Sequence, residues 1–372
     1  MKRNRMGGSC LAGLALFLLA ITGCGGGGDS NSSGTQGGAS AKPTRRLIIL
    51  INGESPFWDA CRRGVEDATR ELQLDQAGFV AVVESNDGSP QGQLEKLRQF
   101  NTQRDIAAVA VSAIDKDNAA VADELRRLRQ RGVKVITIDS DLDRQKFADA
   151  RYAFIGTDNF KAGKVLGTCM RVLKPEGGKY VTFVGRTGAQ NAIERVGGLA
   201  EGAGEKFQRV DNMADENDLT RARENVRHAI QNHPEVSILV GIWSYNAGAI
   251  VDAVKELGVR KRMLVVAFDA QPDAIRHMEQ GQIDCLLVQN PYQIGYQAVR
   301  MMKAMVENDQ KTIQEMYPNY GKPGGDIYET GLKVVVPDAS SPVKPEHVEG
   351  QAEFYTLPEF KKWLAQYNLQ GS

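Results

Sequence analysis

From residue 45 onward, short runs that are apolar at nearly every position alternate with longer stretches that are apolar on one side only. The runs are Leu47–Ile51, Phe79–Val83, Ala107–Val111, Val133–Ile138 and Tyr152–Ile155. Between them Leu94 and Leu97, and then Val121, Leu125 and Leu128, keep helical spacing with charges on the opposite side. Strands without a polar face are covered on both sides, which is the mark of a parallel sheet wrapped by helices. The rhythm then restarts with Tyr180–Val184, Ile238–Ile242, Leu264–Phe268 and Ile283–Val288, and Leu219, Ala222, Val226, Ala229 and Ile230 mark one side of a helix between them. A later strand is predicted at Ile327–Val335 after the Pro/Gly-rich loop Pro318–Gly325, and a last helix at Leu357–Tyr367. Two successive doubly wound α/β units of similar size predict two similar lobes.

The N-terminus follows a different pattern. Lys2, Arg3 and Arg5 precede an apolar run, Leu11–Ile21, that is far short of the roughly 20 residues a spanning helix needs. It reads as an export signal. Leu19-Ala20-Ile21-Thr22-Gly23-Cys24 resembles the lipobox of bacterial lipoproteins, which implies lipidation at Cys24; an ordinary cleaved signal with an incidental cysteine is the plainer reading. Residues 25–42 are almost all Gly, Ser, Asn, Gln and Ala, a composition that cannot bury a core, and a chain of that kind spans roughly 20–25 Å. Residues 1–23 are thus expected to be a signal, and 24–43 a lipidated cysteine with a tether.

Charge narrows the partners. The chain carries 46 basic and 46 acidic residues; loss of the leader leaves 43 against 46. That balance offers no basic excess for nucleic acid and no polybasic membrane segment. Beyond Cys10 and Cys24, the cysteines are Cys61, Cys169 and Cys285, an odd and widely spaced set that makes no disulfide framework. Buried free thiols are expected, with a bridge as the alternative.

In open α/β sheets ligands bind beyond the carboxyl ends of the strands, so the residues there are the candidates. After the first strand come Ser55, Phe57 and Trp58; after the third, Ser112; after the fourth, Asp139-Ser140-Asp141. The second unit supplies Trp243 with Asn246, then Asp269, then Gln289, while Arg195 and Asn217 sit near helix starts. Aromatic faces beside carboxylates, amides and one guanidinium suit a sugar, whose C–H faces pack on rings and whose hydroxyls pair with planar polar groups. A site committed to hydroxyls rejects analogues that lack them, because a buried polar group left unpaired is costly. Plainer roles exist for each: Phe57 and Trp58 as core, Asp139 and Asp269 as helix caps, Arg195 as partner of Glu194 or Glu201.

Enzyme signatures fail on spacing. Gly156 through Lys164 lacks P-loop spacing and continues with Val165; Gly185 and Gly188 are too sparse for a dinucleotide fingerprint. His228 and His233 are five apart, off a common helical face, with no cysteine to complete a metal set. Asp139 and Asp141 stand two residues apart beyond a single strand end, which does not suit a glycosidase pair that must flank the scissile bond. No catalytic residue, metal or cofactor is expected.

Ser55-Pro56-Phe57-Trp58, Val135–Asp139, Ile155-Gly156-Thr157-Asp158-Asn159 with Ala162-Gly163, Glu194-Arg195, Phe268-Asp269, and Gln289-Asn290-Pro291 with Gln293-Ile294-Gly295 occur together and in order. On these motifs the chain, from about Arg45 to Val336, resembles the type I periplasmic sugar-binding proteins, the ribose-binding group above all. The resemblance implies two Rossmann-like lobes joined by three crossovers, with sugar bound in the cleft and lobes closing over it. It implies that Phe57 and Trp58 stack on one sugar face, that Trp243 covers the other, and that Asp139, Arg195, Asp269 and Gln289 hydrogen-bond hydroxyls. Ser55, Ser112 and Asn217 hold binding positions with other residue types. Where the ribose group has Asp-Arg this chain has Asp139-Ser140-Asp141, losing an arginine and gaining a carboxylate; Asn246 fits a subgroup with Asn after a Trp-Ser-Tyr run.

The expected lobes are 44–157 with 290–320, and 158–289 with 321–340, followed by a tail at 341–372. Crossovers are expected at Thr157–Asp158, at Asn290–Pro291 and in the loop before Ile327. The function implied is that of a monomeric, lipid-anchored extracytoplasmic protein capturing a monosaccharide or polyol for the permease of an ABC importer. The alternative is a receptor of the same fold that signals to a sensory partner. The position after Cys24 is glycine, not the aspartate of inner-membrane retention, which hints at the outer membrane.

Overall fold

All five residues of Leu47–Ile51 are completely buried, and they alternate between two separate cores: Leu47, Ile49 and Ile51 face one, Ile48 and Leu50 the other. Only a sheet with helices on both faces buries a strand in this way. The computed structural model describes residues 44–372; the signal, Cys24 and the Gly/Ser stretch lie outside the described residues.

The chain lays down β1 (Arg45–Ile51), α1 (Pro56–Glu71), β2 (Phe79–Ser85), α2 (Pro90–Phe100), β3 (Ile106–Val111), α3 (Ala119–Gln130), β4 (Lys134–Ile138) and β5 (Phe154–Gly156). It then crosses to a second sheet with α4 (Asn159–Leu173), β6 (Gly178–Val184), α5 (Gln190–Ala203), β7 (Phe207–Ala214), α6 (Leu219–Asn232), β8 (Val236–Gly241), α7 (Asn246–Glu256), β9 (Leu264–Phe268), α8 (Pro272–Glu279) and β10 (Cys285–Val288). It returns to the first with α9 (Pro291–Glu307), α10 (Gln310–Met316) and β11 (Ile327–Glu329), and ends in the second with β12 (Lys333–Val336), β13 (Glu353–Thr356) and α11 (Leu357–Gln366). The first sheet has the order β11-β5-β4-β3-β1-β2 and is parallel throughout. The second has the order β13-β12-β10-β9-β8-β6-β7, parallel except where β12 runs antiparallel to β10.

The α/β fold with two wound sheets is as the sequence predicts. The predicted strand Ile327–Val335 is in fact two. Ile327–Glu329 pairs with β5 in the first sheet; Gly331, at φ 86°, turns the chain, and Lys333–Val336 joins the second. The third crossing is therefore at Thr330–Leu332, after Ile327 rather than before it. The segment leading into β11 also packs on the first sheet, with Tyr320 stacked on Tyr152 and Asp326 paired with Arg151. The expected tail is part of the second sheet, through β13.

In each unit one helix pair packs at close range through glycine. A Cβ on Gly64 of α1 would lie 1.9 Å from the Tyr292 carbonyl oxygen of α9, and one on Gly295 of α9 would lie 2.1 Å from that of Cys61. Gly163 and Gly167 of α4 meet α5 in the same way, as do Gly198 and Gly202 of α5 against α4. These pairs seat the helices that follow the first and second crossovers, so they fix where the cleft-lining strand ends lie. Cys61, Cys169 and Cys285 are buried free thiols.

Candidate functional site

Asp139 and Asp269 occupy matching places, each just past a central strand end, β4 in one sheet and β9 in the other. Both take up left-handed backbone, at φ 58° and 65°, and Asn217 does so at 65°. Non-glycine residues pay about 1–2 kcal/mol for this conformation, and Asn and Asp tolerate it best. In both aspartates the strand hydrogen bonding continues regardless: the Asp139 amide donates to the Ile155 carbonyl (3.1 Å) and that of Asp269 to the Leu287 carbonyl (2.8 Å). The kink turns both carboxyls off the sheet and into a shared cleft of about 490 Å³.

Arg195 reaches the same cleft from α5. It is 1% exposed, lies 4.4 Å from the centre of the Phe268 ring, and donates to Asn159 Oδ1 (2.9 Å) and the Ile242 carbonyl (3.0 Å). Its Nη2 is buried without a hydrogen-bond partner among the described residues. Ser140 Oγ, also in the cleft wall, is in the same condition. Buried donors are rarely left unpaired in a protein interior, so these two cleft atoms keep a hydrogen-bonding capacity that no described residue takes up. Burial raises the Asp139 carboxyl to about 6, against the pull of Arg195 and the Ser112 hydroxyl. Burial likewise raises Asp269 while Arg195 and Gln289 oppose it, and burial lowers Arg195 against both carboxylates.

Gln289 ties the cleft to the crossovers. Its amide nitrogen donates to Asp269 (3.1 Å to Oδ1), and its Oε1 accepts from the Thr157 hydroxyl (2.9 Å), which joins the first crossover to the second. The aromatic lining is Phe57 and Trp58 of the first unit, edge to face at 5.0 Å, and Trp243 of the second. Phe57 and Trp58 are each 6% exposed and also belong to the core, so their core role and their cleft role hold together. The Trp243 ring fills the space a side chain at Gly185 would take, a Cβ there falling 2.0 Å from it, and its Nε1 donates to Asn191 Oδ1 (3.3 Å). Ser55 caps α1, accepting from the Trp58 amide at 3.4 Å, and Asn217 is also among the lining residues. Asp139 and Asp269 cap no helix: no α-helix stands between β4 and β5, and the residue that caps α8 is Gln271; Arg195 pairs with neither Glu194 nor Glu201.

Three expected cleft residues lie elsewhere. Ser112 is completely buried beneath Asp139, donating to its Oδ2 at 2.8 Å and accepting from Asn52. Asn246 is completely buried at the start of α7, accepting from the Trp243 amide (2.9 Å) and donating to Asp215 (3.0 Å), so it braces the loop carrying Trp243. Asp141 faces away from the cleft into an ionic cluster. It accepts from Arg151 at 2.6 Å, Arg144 at 3.1 Å and the Thr137 hydroxyl at 2.6 Å. Burial alone would raise its carboxyl, but Arg151 and its other partners hold it below the ordinary value.

Other residues line the cleft without having been singled out: Arg186, Asn191, Tyr245 and Gln271. Arg186 lies two residues past the end of β6 and pairs with Glu216 at 3.0 Å; the rule of reading strand ends, applied to Val184, would have found it. Asn191 and Gln271 sit at helix starts, where sequence gives no cue to a cleft.

The sequence pattern of the Periplasmic binding protein domain matches residues 47–310. The chain belongs to the periplasmic binding protein family. It is similar to the ribose import binding protein of Salmonella typhimurium, 25% identical over 75% of this chain and 90% of that protein. It is also similar to the D-allose-binding periplasmic protein of Escherichia coli, 25% identical over 68% of this chain and 82% of that protein. Among solved structures, an ABC transporter solute-binding protein from Burkholderia graminis in complex with D-arabinose superposes with a TM-score of 0.68 at 23% identity, covering 84% of this chain and 99% of that one. The likeness to that structure is one of fold. A periplasmic binding protein is a binding protein of the cell envelope and not an enzyme, and this one shares the family's two-sheet α/β fold with its cleft.

Proposed function

We propose that this periplasmic binding protein captures a neutral monosaccharide or polyol between its lobes and hands it to the membrane subunits of an ABC importer. The observation that carries the reading is the convergence of Asp139, Asp269 and Arg195, whose Nη2 has no partner among the described residues, in one cleft lined also by Phe57, Trp58 and Trp243. A hydroxyl both donates and accepts, so a vicinal pair can donate hydrogen bonds to the carboxylates and accept one from Arg195. Charge-assisted hydrogen bonds of this kind contribute about 1.5–3 kcal/mol each, and the rings cover the apolar sugar faces. Similarity to proteins named for ribose import and D-allose binding supports a pentose or hexose as the cargo.

Because its groups come from both sheets, a ligand touching all of them favours the closed arrangement of the lobes. Retention at the envelope through lipid on Cys24 belongs to the same reading. Cys24→Ser should release the protein from the membrane fraction and abolish fatty-acid labelling; labelling that persists removes Cys24 as the anchor site.

A thermal-shift panel of pentoses, hexoses and polyols, followed by calorimetric titration, tests the ligand class. Ligand at 100 times its dissociation constant adds about 2.7 kcal/mol of stability. That shifts the midpoint by several degrees in a protein of this size. One or two sugars should give that shift, and small-angle scattering should show the chain contracting with them. A flat panel on folded, sugar-free protein overturns the reading.

A further inference from the structure

The loop that carries Asp269 is closed from behind by a segment far away in sequence. Ala270, next to Asp269, is completely buried; its N–H donates to the Ser372 carbonyl at 2.7 Å and its carbonyl accepts from the Ser372 N–H at 2.9 Å. The Ser372 hydroxyl donates to the Gln289 carbonyl at 3.2 Å, so one residue holds both the Asp269 loop and the start of the second crossover. The matching position in the first sheet needs no such segment, because the Ser140 carbonyl accepts from the Ala113 amide of a neighbouring strand end. Upstream, the Leu369 amide donates to the Leu364 carbonyl at 3.0 Å, closing α11, and the Leu369 side chain packs on the second unit's core. The Tyr367 ring lies 4.5 Å from that of Tyr292 at the start of α9, whose hydroxyl donates to Asp67 of α1 at 3.0 Å. The segment therefore touches helices packed on both sheets.

We propose that residues 367–372 are a clasp that positions Asp269 and Gln289 for ligand and so sets the affinity of the cleft. The proposal rests on the reading of those two side chains as ligand-binding groups. Without Ser372 both backbone groups of Ala270 lose their partners, and the loop is free to shift. Asp269 already holds a left-handed backbone at φ 65°, a conformation that persists only where its surroundings impose it. The clasp supplies that constraint from the side away from the ligand. Asp269, Gln289 and the second crossover are thus fixed by one short segment, and Tyr367 and Ser372 act as positioning residues.

Gly371 gives a clean test. A Cβ there would lie 2.7 Å from the Ala270 carbonyl oxygen and 2.8 Å from Pro272 Cδ, so Gly371→Ala lifts the clasp sterically without touching the cleft. Hydrogen exchange and sugar titration would be run on the parent chain, on Gly371→Ala, on a chain lacking residues 369–372, and on Lys362→Ala of exposed α11 as control. Expected in both clasp variants is faster exchange at the Ala270 and Gln289 amides, unchanged exchange in β8, and affinity weakened roughly tenfold, the equivalent of about one hydrogen bond. Unchanged exchange at Ala270 overturns the clasp. Faster exchange with unchanged affinity reduces it to a structural seam and overturns the positioning role. A parent chain that binds no sugar at all defeats the sugar reading, while the exchange at Gln289 still decides whether the clasp holds the crossover.

Discussion

Asp139 shows how a cleft can be tuned before any ligand arrives. Its carboxyl is raised from 3.8 to about 6 by burial, so between roughly pH 4 and pH 6 the folded chain binds a proton that the unfolded chain has lost. Stability from this group is therefore highest below that window and falls as pH rises through 6. Ligand-free protein should gain thermal stability on acidification from pH 7 to about 5, and Asp139→Asn should reduce that gain, leaving the share of Asp269, while raising the midpoint at pH 7. A sugar hydroxyl donating to the carboxylate favours the ionised form, so affinity should drop as pH falls below about 6. A titration series between pH 5 and 8 checks the sign; affinity that is flat across it would place Asp139 outside the ligand contacts. Asp141 should behave in the opposite manner. It is fully paired with Arg151 and remote from the cleft, so Asp141→Asn should cost about 3 kcal/mol of stability, read by chemical denaturation, with ligand preference unchanged.

At the level of elements, the glycine-mediated helix pairs carry the argument. A Cβ on Gly198 would lie 2.0 Å from the Phe160 carbonyl oxygen, and backbone cannot yield as a flexible side chain can. Overpacking of this kind costs about 1–3 kcal/mol, so Gly198→Ala and Gly295→Ala should each lower the melting midpoint by several degrees. A midpoint unchanged in both would mean that the helices slide freely. These contacts also explain why Ala162-Gly163 and Gln293-Ile294-Gly295 were legible as motifs: the chain needs a missing side chain at those helical positions. The strand ends were legible for a related reason, since parallel sheets put chemistry at one edge. What alternation near that edge could not reveal is which side of the turn a residue faces, and Ser112, Asn246 and Asp141 fell on the wrong one. Phe207–Ala214 was missed because β7 is an edge strand, half-buried along most of its length, and reads as polar. Ile327–Val335 read as one strand because apolar continuity does not record a change of sheet, and residues 369–372 carry no pattern at all.

For the whole molecule, the question is what holds the lobes together besides the three crossovers and a ligand. Arg144, from the loop after β4, approaches Glu194 of α5 at 3.5 Å, joining the two units through an ion pair. Arg144 is itself oriented by Asp141 at 3.1 Å and by the Phe154 ring at 5.1 Å, while Gln190 donates to the same Glu194 oxygen at 2.7 Å. Both side chains retain solvent access, at 27% and 17%, so the pair is screened and should contribute about 0.2–1 kcal/mol. That is small beside ligand contacts but large enough to move an open–closed equilibrium that differs by only a few kcal/mol. Glu194→Gln keeps the Gln190 side within reach of a hydrogen-bond partner and removes only the charge. It should weaken sugar binding by up to about fivefold at low ionic strength, the full value of such a pair. The difference from the parent should vanish near 1 M salt, where the screening length is about 3 Å. Contraction on saturation with sugar, followed by small-angle scattering, should be the same in parent and variant, because the ligand and not the ion pair dominates closure. A Glu194→Gln affinity equal to the parent's at low salt would show that the pair forms equally in open and closed states and so exerts no bias between them.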